Sequence, residues 1–293
     1  MVRDGSAAPD LRAAVIGSPI GHSKSPVLHA AAYRLIGVDC DYSAIDVPES
    51  ALTGFVTDVR STPGWRGLSV TMPLKPGIAR LADGVSELVE VLGVANTLVV
   101  EHAGGDARLQ AHNTDVAGIS HALAAAGVVD PARGVILGGG GTAAAAVAGL
   151  AGLGARAVTV LVRRPGAAAD LLRIGSALGI DVSLQSWDSA GERVRSADVV
   201  LSTLPPRAAD DLGRELAADE RFRTQATLLD VAYDPWPSVL ADAWERAGGT
   251  IVPGLDMLLH QAVEQVRLFF PEVAQDRAAV LGVMCDAVGV TRR

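Results

Sequence analysis

Four separated stretches carry side chains that could share one chemistry. Gly21-His22-Ser23-Lys24-Ser25-Pro26 offers the hydroxyls of Ser23 and Ser25 and, where Pro26 opens a helix, unpaired backbone N–H groups suited to a carboxylate. Ser69-Val70-Thr71-Met72-Pro73-Leu74-Lys75 brings an ammonium, with Pro73 and Pro76 fixing the turn around it. Asn113-Thr114-Asp115 places a carboxylate just ahead of a helix expected from Val116. The fourth stretch, Gly138-Gly139-Gly140-Gly141-Thr142-Ala143, follows an apolar strand and opens an alanine-rich helix. In that context Gly138, Gly140, Gly141, Thr142 and Ala143 let backbone N–H groups and a helix N-terminus approach a pyrophosphate. Together these groups could reduce a ketone on a polyhydroxy acid: Lys75 would protonate the alkoxide as hydride arrives, with Asp115 beside it. Singly, each has a plainer reading, Ser25 and Asp115 as helix caps and Lys75 as a surface lysine. The combination is what points to chemistry.

The strand after the glycine loop ends at Val162-Arg163-Arg164-Pro165, where an NAD-binding fold usually presents an acid to the ribose hydroxyls. Two guanidinium groups suit a 2′-phosphate instead, so the cofactor expected is NADP(H), held in part by Arg163 and Arg164. Thr203, in Ser202-Thr203-Leu204-Pro205, ends a later strand on the same sheet edge, where the nicotinamide half should lie. Cys40 and Cys285 are the only cysteines, without a CxxC or Cys/His cluster, so no metal site is expected.

The elements that must position these groups show two rhythms. Short apolar runs at 13–16, 42–45, 68–71, 96–100 and 110–111 alternate with helical stretches such as 26–36, in the manner of βαβ units. From 135 to 252 about six strands recur at doubly wound spacing, a dinucleotide-binding domain. Beyond Pro253-Gly254 the chain reads as helical, with Leu255, Leu258, Leu259, Ala262, Val266, Phe269 and Phe270 forming a stripe that Pro271 interrupts. That stripe needs a surface, and the first domain is expected to supply it. The expectation is an α/β protein of two domains: a discontinuous substrate-binding and catalytic domain over 1–115 and 254–293, and a Rossmann-type NADP-binding domain over 116–253.

Composition narrows the partners. With 49% hydrophobic and 20% charged residues over 293 positions, the chain is a folded protein rather than a disordered one. A net charge of −8 argues against a nucleic-acid or membrane-surface partner and leaves a small molecule. The uncharged run 134–155 is too rich in glycine and alanine for a membrane span and reads as strand, turn and buried helix. The first ten residues lack an apolar core, so no secretory leader is expected and a cytoplasmic setting follows.

Gly17-Ser18-Pro19-Ile20-Gly21-His22-Ser23-Lys24-Ser25-Pro26, Val70-Thr71-Met72-Pro73-Leu74-Lys75, Ala95-Asn96-Thr97-Leu98, Asn113-Thr114-Asp115 and Gly254-Leu255-Asp256-Met257-Leu258-Leu259-His260-Gln261, in that order and spacing, resemble the shikimate dehydrogenases, and the resemblance runs from 13 to near 265. It implies reversible NADPH-dependent reduction of 3-dehydroshikimate to shikimate, on the route to chorismate and the aromatic amino acids. Lys75 and Asp115 fall on the family's catalytic pair. Ser23, Ser25, Thr71, Asn96, Gln261 and Tyr233 fall on its substrate-binding positions. Because the family contains monomers and dimers, either is expected. The chain departs from the common pattern at Ser69, where asparagine is usual, at Val116, where glycine is usual, and at Val162-Arg163-Arg164 in place of Asn-Arg-Thr. Relatives acting on quinate or amino-substituted shikimate tend to alter the serine pair or the phosphate-binding arginine. A silent ligand sensor would have lost Lys75 or Asp115. All of these are kept here.

Overall fold

The computed structural model describes residues 10–102 and 107–291; most of the segment inspected for a leader lies outside them. The chain divides into two compact units, one formed by the residues up to Thr114 and from Ala262 onward, the other by Asp115–Gln261.

The first unit is built from β1 (Leu11–Gly17), α1 (Ser25–Ile36), β2 (Cys40–Asp46), α2 (Leu52–Ser61), β3 (Trp65–Val70), α3 (Lys75–Leu81), β4 (Gly84–Val85), α4 (Glu87–Leu92), β5 (Thr97–Glu101) and β6 (Arg108–His112). Its sheet has the order β2-β1-β3-β5-β6-β4. The βαβ rhythm holds from β1 to β3, which run parallel. Beyond them β5 lies antiparallel to both β3 and β6, so this sheet is mixed. The apolar runs at 96–100 and 110–111 do not themselves encode direction, and β4, two residues long, leaves no sequence signal.

Period-two alternation sorts this sheet into two faces. Ala14, Ile16, Leu68, Val70 and Leu98 point into an apolar core with Leu52, Val56 and Val59 of α2 and Ile78 of α3. The intervening residues Gly67, Ser69 and Thr97 point the other way. Gly67 is there because any Cβ would overlap the Phe269 ring.

The second unit opens with α5 (Asp115–Ala125) and continues with β7 (Gly134–Leu137), α6 (Gly141–Gly152), β8 (Ala157–Val162), α7 (Asp170–Leu178), β9 (Asp181–Ser186), α8 (Ala190–Arg195), β10 (Val199–Ser202), α9 (Asp210–Ala218), β11 (Thr227–Asp230), α10 (Val239–Arg246) and β12 (Thr250–Pro253). All six strands are parallel in the order β12-β11-β10-β7-β8-β9. This is the doubly wound arrangement, with its direction of winding reversed between β7 and β10. Leu212, Leu216, Leu240 and Trp244 cover one face. In α6 every residue from Ala143 to Leu150 is buried, which accounts for the long uncharged run.

Two helices complete the chain, α11 (Gly254–Phe269) and α12 (Arg277–Val288). The division between units falls inside α11, after Gln261, rather than at its start. From Ala262 on, the apolar stripe is buried within the first unit, where Phe270 meets Tyr33 edge to face at 5.1 Å. α12 packs on α1 and is capped by Asp276, whose Oδ1 accepts from Ala279 N–H at 2.9 Å. Among the described residues, no helix is long and apolar enough to cross a membrane.

Candidate active site

Strand direction brings the candidate residues of the first unit to one edge. β1, β3 and β6 all end there, and β5 begins there. The segments that follow or precede them are stitched together: Thr71 N–H donates to Ile16 O at 2.9 Å, Ser18 N–H to Met72 O at 3.1 Å, Ala95 N–H to Lys75 O at 3.1 Å and Asn96 N–H to His112 O at 3.1 Å. Gly17 has no room for a Cβ, which would overlap Thr71.

Ser23 is half-buried and its Oγ accepts from Ser25 N–H at 3.3 Å. Ser25 is not the helix cap that its position suggests: Lys24 is the cap residue of α1, without a side-chain bond, and Ser25 is already helical. Its buried hydroxyl lies against Tyr42. Lys75, half-buried, is the first residue of α3. A cation at a helix N-terminus is disfavoured by the helix dipole, so helix stability does not explain a lysine there.

Asn96 is only 2% exposed. Its Nδ2 donates to Thr114 Oγ1 at 2.9 Å, and its Oδ1 accepts from Thr114 N–H at 2.7 Å. The side chain expected to read substrate therefore grips the segment that ends in Asp115. Asn113 anchors the same segment by donating to Val94 O at 3.0 Å.

Asp115 begins α5 and is 5% exposed. Within the second unit α5 crosses α11 closely, for a Cβ on Gly118 would lie 2.7 Å from Met257 O and 2.9 Å from Gln261 Cβ. Gly118 lies three residues from Asp115, on the same helix face, so Gln261 and Asp115 share one side of the unit. Gln261 is buried, and its Nε2 donates to Leu258 O at 2.9 Å. Tyr233 lies just beyond β11, half-buried, its hydroxyl pKa raised by burial and by the neighbouring Asp234.

At the switch point of the parallel sheet the glycines have distinct reasons. Gly138 has φ +106°, and a Cβ there would also lie 2.7 Å from Thr203 Oγ1. Gly139 is wedged between Val162 and Ala168, 2.8 and 2.9 Å from a would-be Cβ. Gly140 faces nothing within 4 Å, and its extended backbone is open to any residue. No side chain caps α6. An open cradle before an uncapped helix start, with Thr142 and buried Ala143 in the first turn, fits a pyrophosphate. Thr203 serves this loop directly: its hydroxyl donates to Leu137 O at 2.9 Å.

Gly139 also fixes where the arginines stand, since the residues it touches flank Arg163 and Arg164. Both are exposed, and neither forms an ion pair with a described residue. Two unengaged guanidinium groups beside a pyrophosphate cradle fit a 2′-phosphate.

Tyr42, Ser69 and Gln265 form a connected group that no local sequence pattern signals. Gln265 carried one available signal, standing one helical turn beyond Gln261.

A doubly wound parallel sheet with a glycine loop at its switch point, paired with a second α/β unit that gathers a lysine and hydroxyls on one sheet edge, defines a nicotinamide-dependent dehydrogenase. Residues 15–98 match the family model for the shikimate dehydrogenase substrate binding domain. The chain is 33% identical to the shikimate dehydrogenase (NADP(+)) of Methanothermobacter thermautotrophicus, over 94% of each chain. Among solved structures, the shikimate dehydrogenase of Mycobacterium tuberculosis is 40% identical with a TM-score of 0.81, covering 94% of this chain and 99% of that one. A shikimate 5-dehydrogenase of Thermus thermophilus in complex with NADP(H) and shikimate is 27% identical with a TM-score of 0.76, over 94% and 99%. The chain belongs to the shikimate dehydrogenase family.

Proposed function

We propose that this protein reversibly reduces 3-dehydroshikimate to shikimate with NADPH, in the cytoplasm, as a monomer or homodimer, within chorismate and aromatic amino acid biosynthesis. The observation that carries the reading is the sheet edge of the first unit. There Ser23, Ser25, Thr71 and Lys75 stand on stitched segments, and Asn96 grips Thr114, whose next residue is Asp115. The first unit supplies Ser23, Ser25, Thr71, Lys75 and Asn96, and the second supplies the cofactor cradle together with Asp115, Tyr233 and Gln261.

In this reading Ser23 and Ser25 hold the substrate carboxylate by hydroxyl and by the N–H groups at the start of α1. Thr71, Gln261 and Tyr233 read ring hydroxyls. Asn96 contributes through the Thr114 segment. NADP(H), when bound, supplies or accepts the hydride. Lys75 Nζ gives its proton to the carbonyl oxygen during reduction and takes it back during oxidation, and Asp115 is the acid of the family's catalytic pair. The loop 138–143 cradles the pyrophosphate, and Arg163 and Arg164 pair with the 2′-phosphate.

The deciding experiment measures nicotinamide absorbance with purified protein, offering shikimate or quinate with NADP⁺ or NAD⁺. Turnover confined to shikimate and NADP⁺ is expected. Quinate oxidation with NAD⁺ would move the protein to a catabolic role, and tight shikimate binding without turnover would make it a sensor.

A further inference from the structure

Beneath the sheet edge of the first unit runs a buried chain of hydrogen bonds whose direction follows from one backbone atom. The carbonyl of Asn96 can only accept, so the Gln265 carboxamide atom 3.2 Å from it is the donor Nε2. The same nitrogen lies 3.0 Å from Thr97 Oγ1. Gln265 Oε1 therefore faces Ser69, whose hydroxyl must donate to it across 2.7 Å. With that proton committed, Ser69 Oγ receives the Tyr42 hydroxyl at 2.6 Å. The Ser25 side chain lies beside the Tyr42 hydroxyl. The Tyr42 ring stacks on His29 at 3.9 Å, and His29 Nδ1 lies 3.0 Å from Ser25 O. Since that carbonyl too only accepts, His29 carries its proton on Nδ1.

The other end is equally determined. Thr97 Oγ1, having accepted from Gln265, donates to Asn96 Oδ1 at 2.9 Å, and Asn96 holds Thr114. Every member of the chain is buried. Buried polar groups stabilise less than apolar ones of the same shape, yet the bonds from Tyr42 to Thr114 leave one consistent arrangement of donors and acceptors, and only His29 Nε2 at the far end is left without a partner. Such a network specifies geometry at some cost in stability.

We propose that Tyr42, Ser69 and Gln265 are positioning residues that hold the Ser23-Lys24-Ser25 loop and the Asn113-Thr114-Asp115 segment in fixed orientation, with Gln265 as the joint between the two arms. The proposal rests on the reading above, in which Ser25 binds the substrate carboxylate and Asp115 works with Lys75. One arm runs from Gln265 through Ser69 to Tyr42, whose ring stacks on His29, and His29 Nδ1 bonds the backbone of the carboxylate serine, Ser25. The other, Gln265 to Thr97 and Asn96, ends on the acid-bearing segment.

The test is steady-state shikimate oxidation with NADP⁺ by the full chain, with thermal unfolding of each variant alongside. Tyr42→Phe and Ser69→Ala cut the first arm, and each should raise the shikimate KM about fivefold or more, with kcat and the NADP⁺ KM within about twofold of wild type. Thr97→Val cuts the second arm and should lower kcat about fivefold with the shikimate KM little changed. Gln265→Leu should show both effects, and adding Tyr42→Phe to it should change KM by less than about twofold. If Gln265→Leu fails to fold, the split between Tyr42→Phe and Thr97→Val decides. A shikimate KM in Tyr42→Phe and Ser69→Ala within about twofold of wild type overturns the proposal, as does an equal rise in the NADP⁺ KM. Should wild type turn over no shikimate, the parent reading fails, and the same comparison of shikimate Kd still judges the relay.

Discussion

In the second unit the binding edge is made of backbone: a glycine at φ +106°, an open position at Gly140 and an uncapped helix start, with arginines exposed beside them. In the first unit the edge is made of side chains, and behind it Ser69, Asn96, Thr97 and Gln265 are buried and bonded to one another. A pyrophosphate presents similar oxygens in every dinucleotide, so N–H groups and a helix dipole suffice to hold it. A polyhydroxy acid must be told from its isomers by individually aimed donors and acceptors, which need support from behind.

The largest effect expected is on chemistry alone. Lys75→Ala should lower kcat by about 10²–10⁴-fold while shikimate and NADP⁺ still bind, as measured by calorimetry. Loss of NADP⁺ binding in that variant would break the assignment of Lys75 to chemistry rather than to cofactor binding.

His29 probes the buried side of the comparison. Burial pushes its pKa down to about 4 from 6.5, so it is held neutral under the serine loop. The unfolded chain then binds a proton at higher pH than the folded one does. Stability should therefore be full above pH 6.5 and fall as the pH drops from 6.5 toward 4, by about 3 kcal/mol for this group. Denaturant unfolding at stepped pH should show that slope in wild type and a flatter one in His29→Phe.

Two glycines sharpen the backbone side. Gly138→Ala should cost about 1–3 kcal/mol in unfolding experiments, because a side chain is strained at that φ and meets Thr203. Gly140→Val should leave stability within about 0.5 kcal/mol yet raise the NADP⁺ KM, since the proposed pyrophosphate would need the open space there. Equal stability losses in both would mean that the open space at Gly140 is structural. The smallest effect is expected for Arg163→Ala, about tenfold in the NADP⁺ KM with the NAD⁺ KM unmoved.

The same contrast explains what could be read from the sequence. The parallel sheet announced itself through evenly spaced apolar runs, and Gly138 to Ala143 through local composition after β7. Lys75 and Asp115 were legible as residue types, whereas the mixed order of the first sheet was not, because an apolar run has the same appearance in either direction. Nor was the relay: Tyr42, Ser69 and Gln265 lie 27 and 196 positions apart along the chain, with no local pattern to connect them. Ser69, visible only as a departure from the usual asparagine, gains its meaning from Tyr42 and Gln265 on either side. Asn96 was legible as a polar residue in a matching motif, but its commitment to Thr114 required the fold.

The most direct test is a crystal structure with NADP⁺ and shikimate bound. The account predicts the shikimate carboxylate on Ser23 and Ser25, a ring hydroxyl at Lys75 Nζ, the pyrophosphate on the N–H groups of 140–143 and the 2′-phosphate on Arg163 or Arg164. Shikimate seated away from Lys75 and the serine pair, or a pyrophosphate lying off the glycine loop, would contradict it.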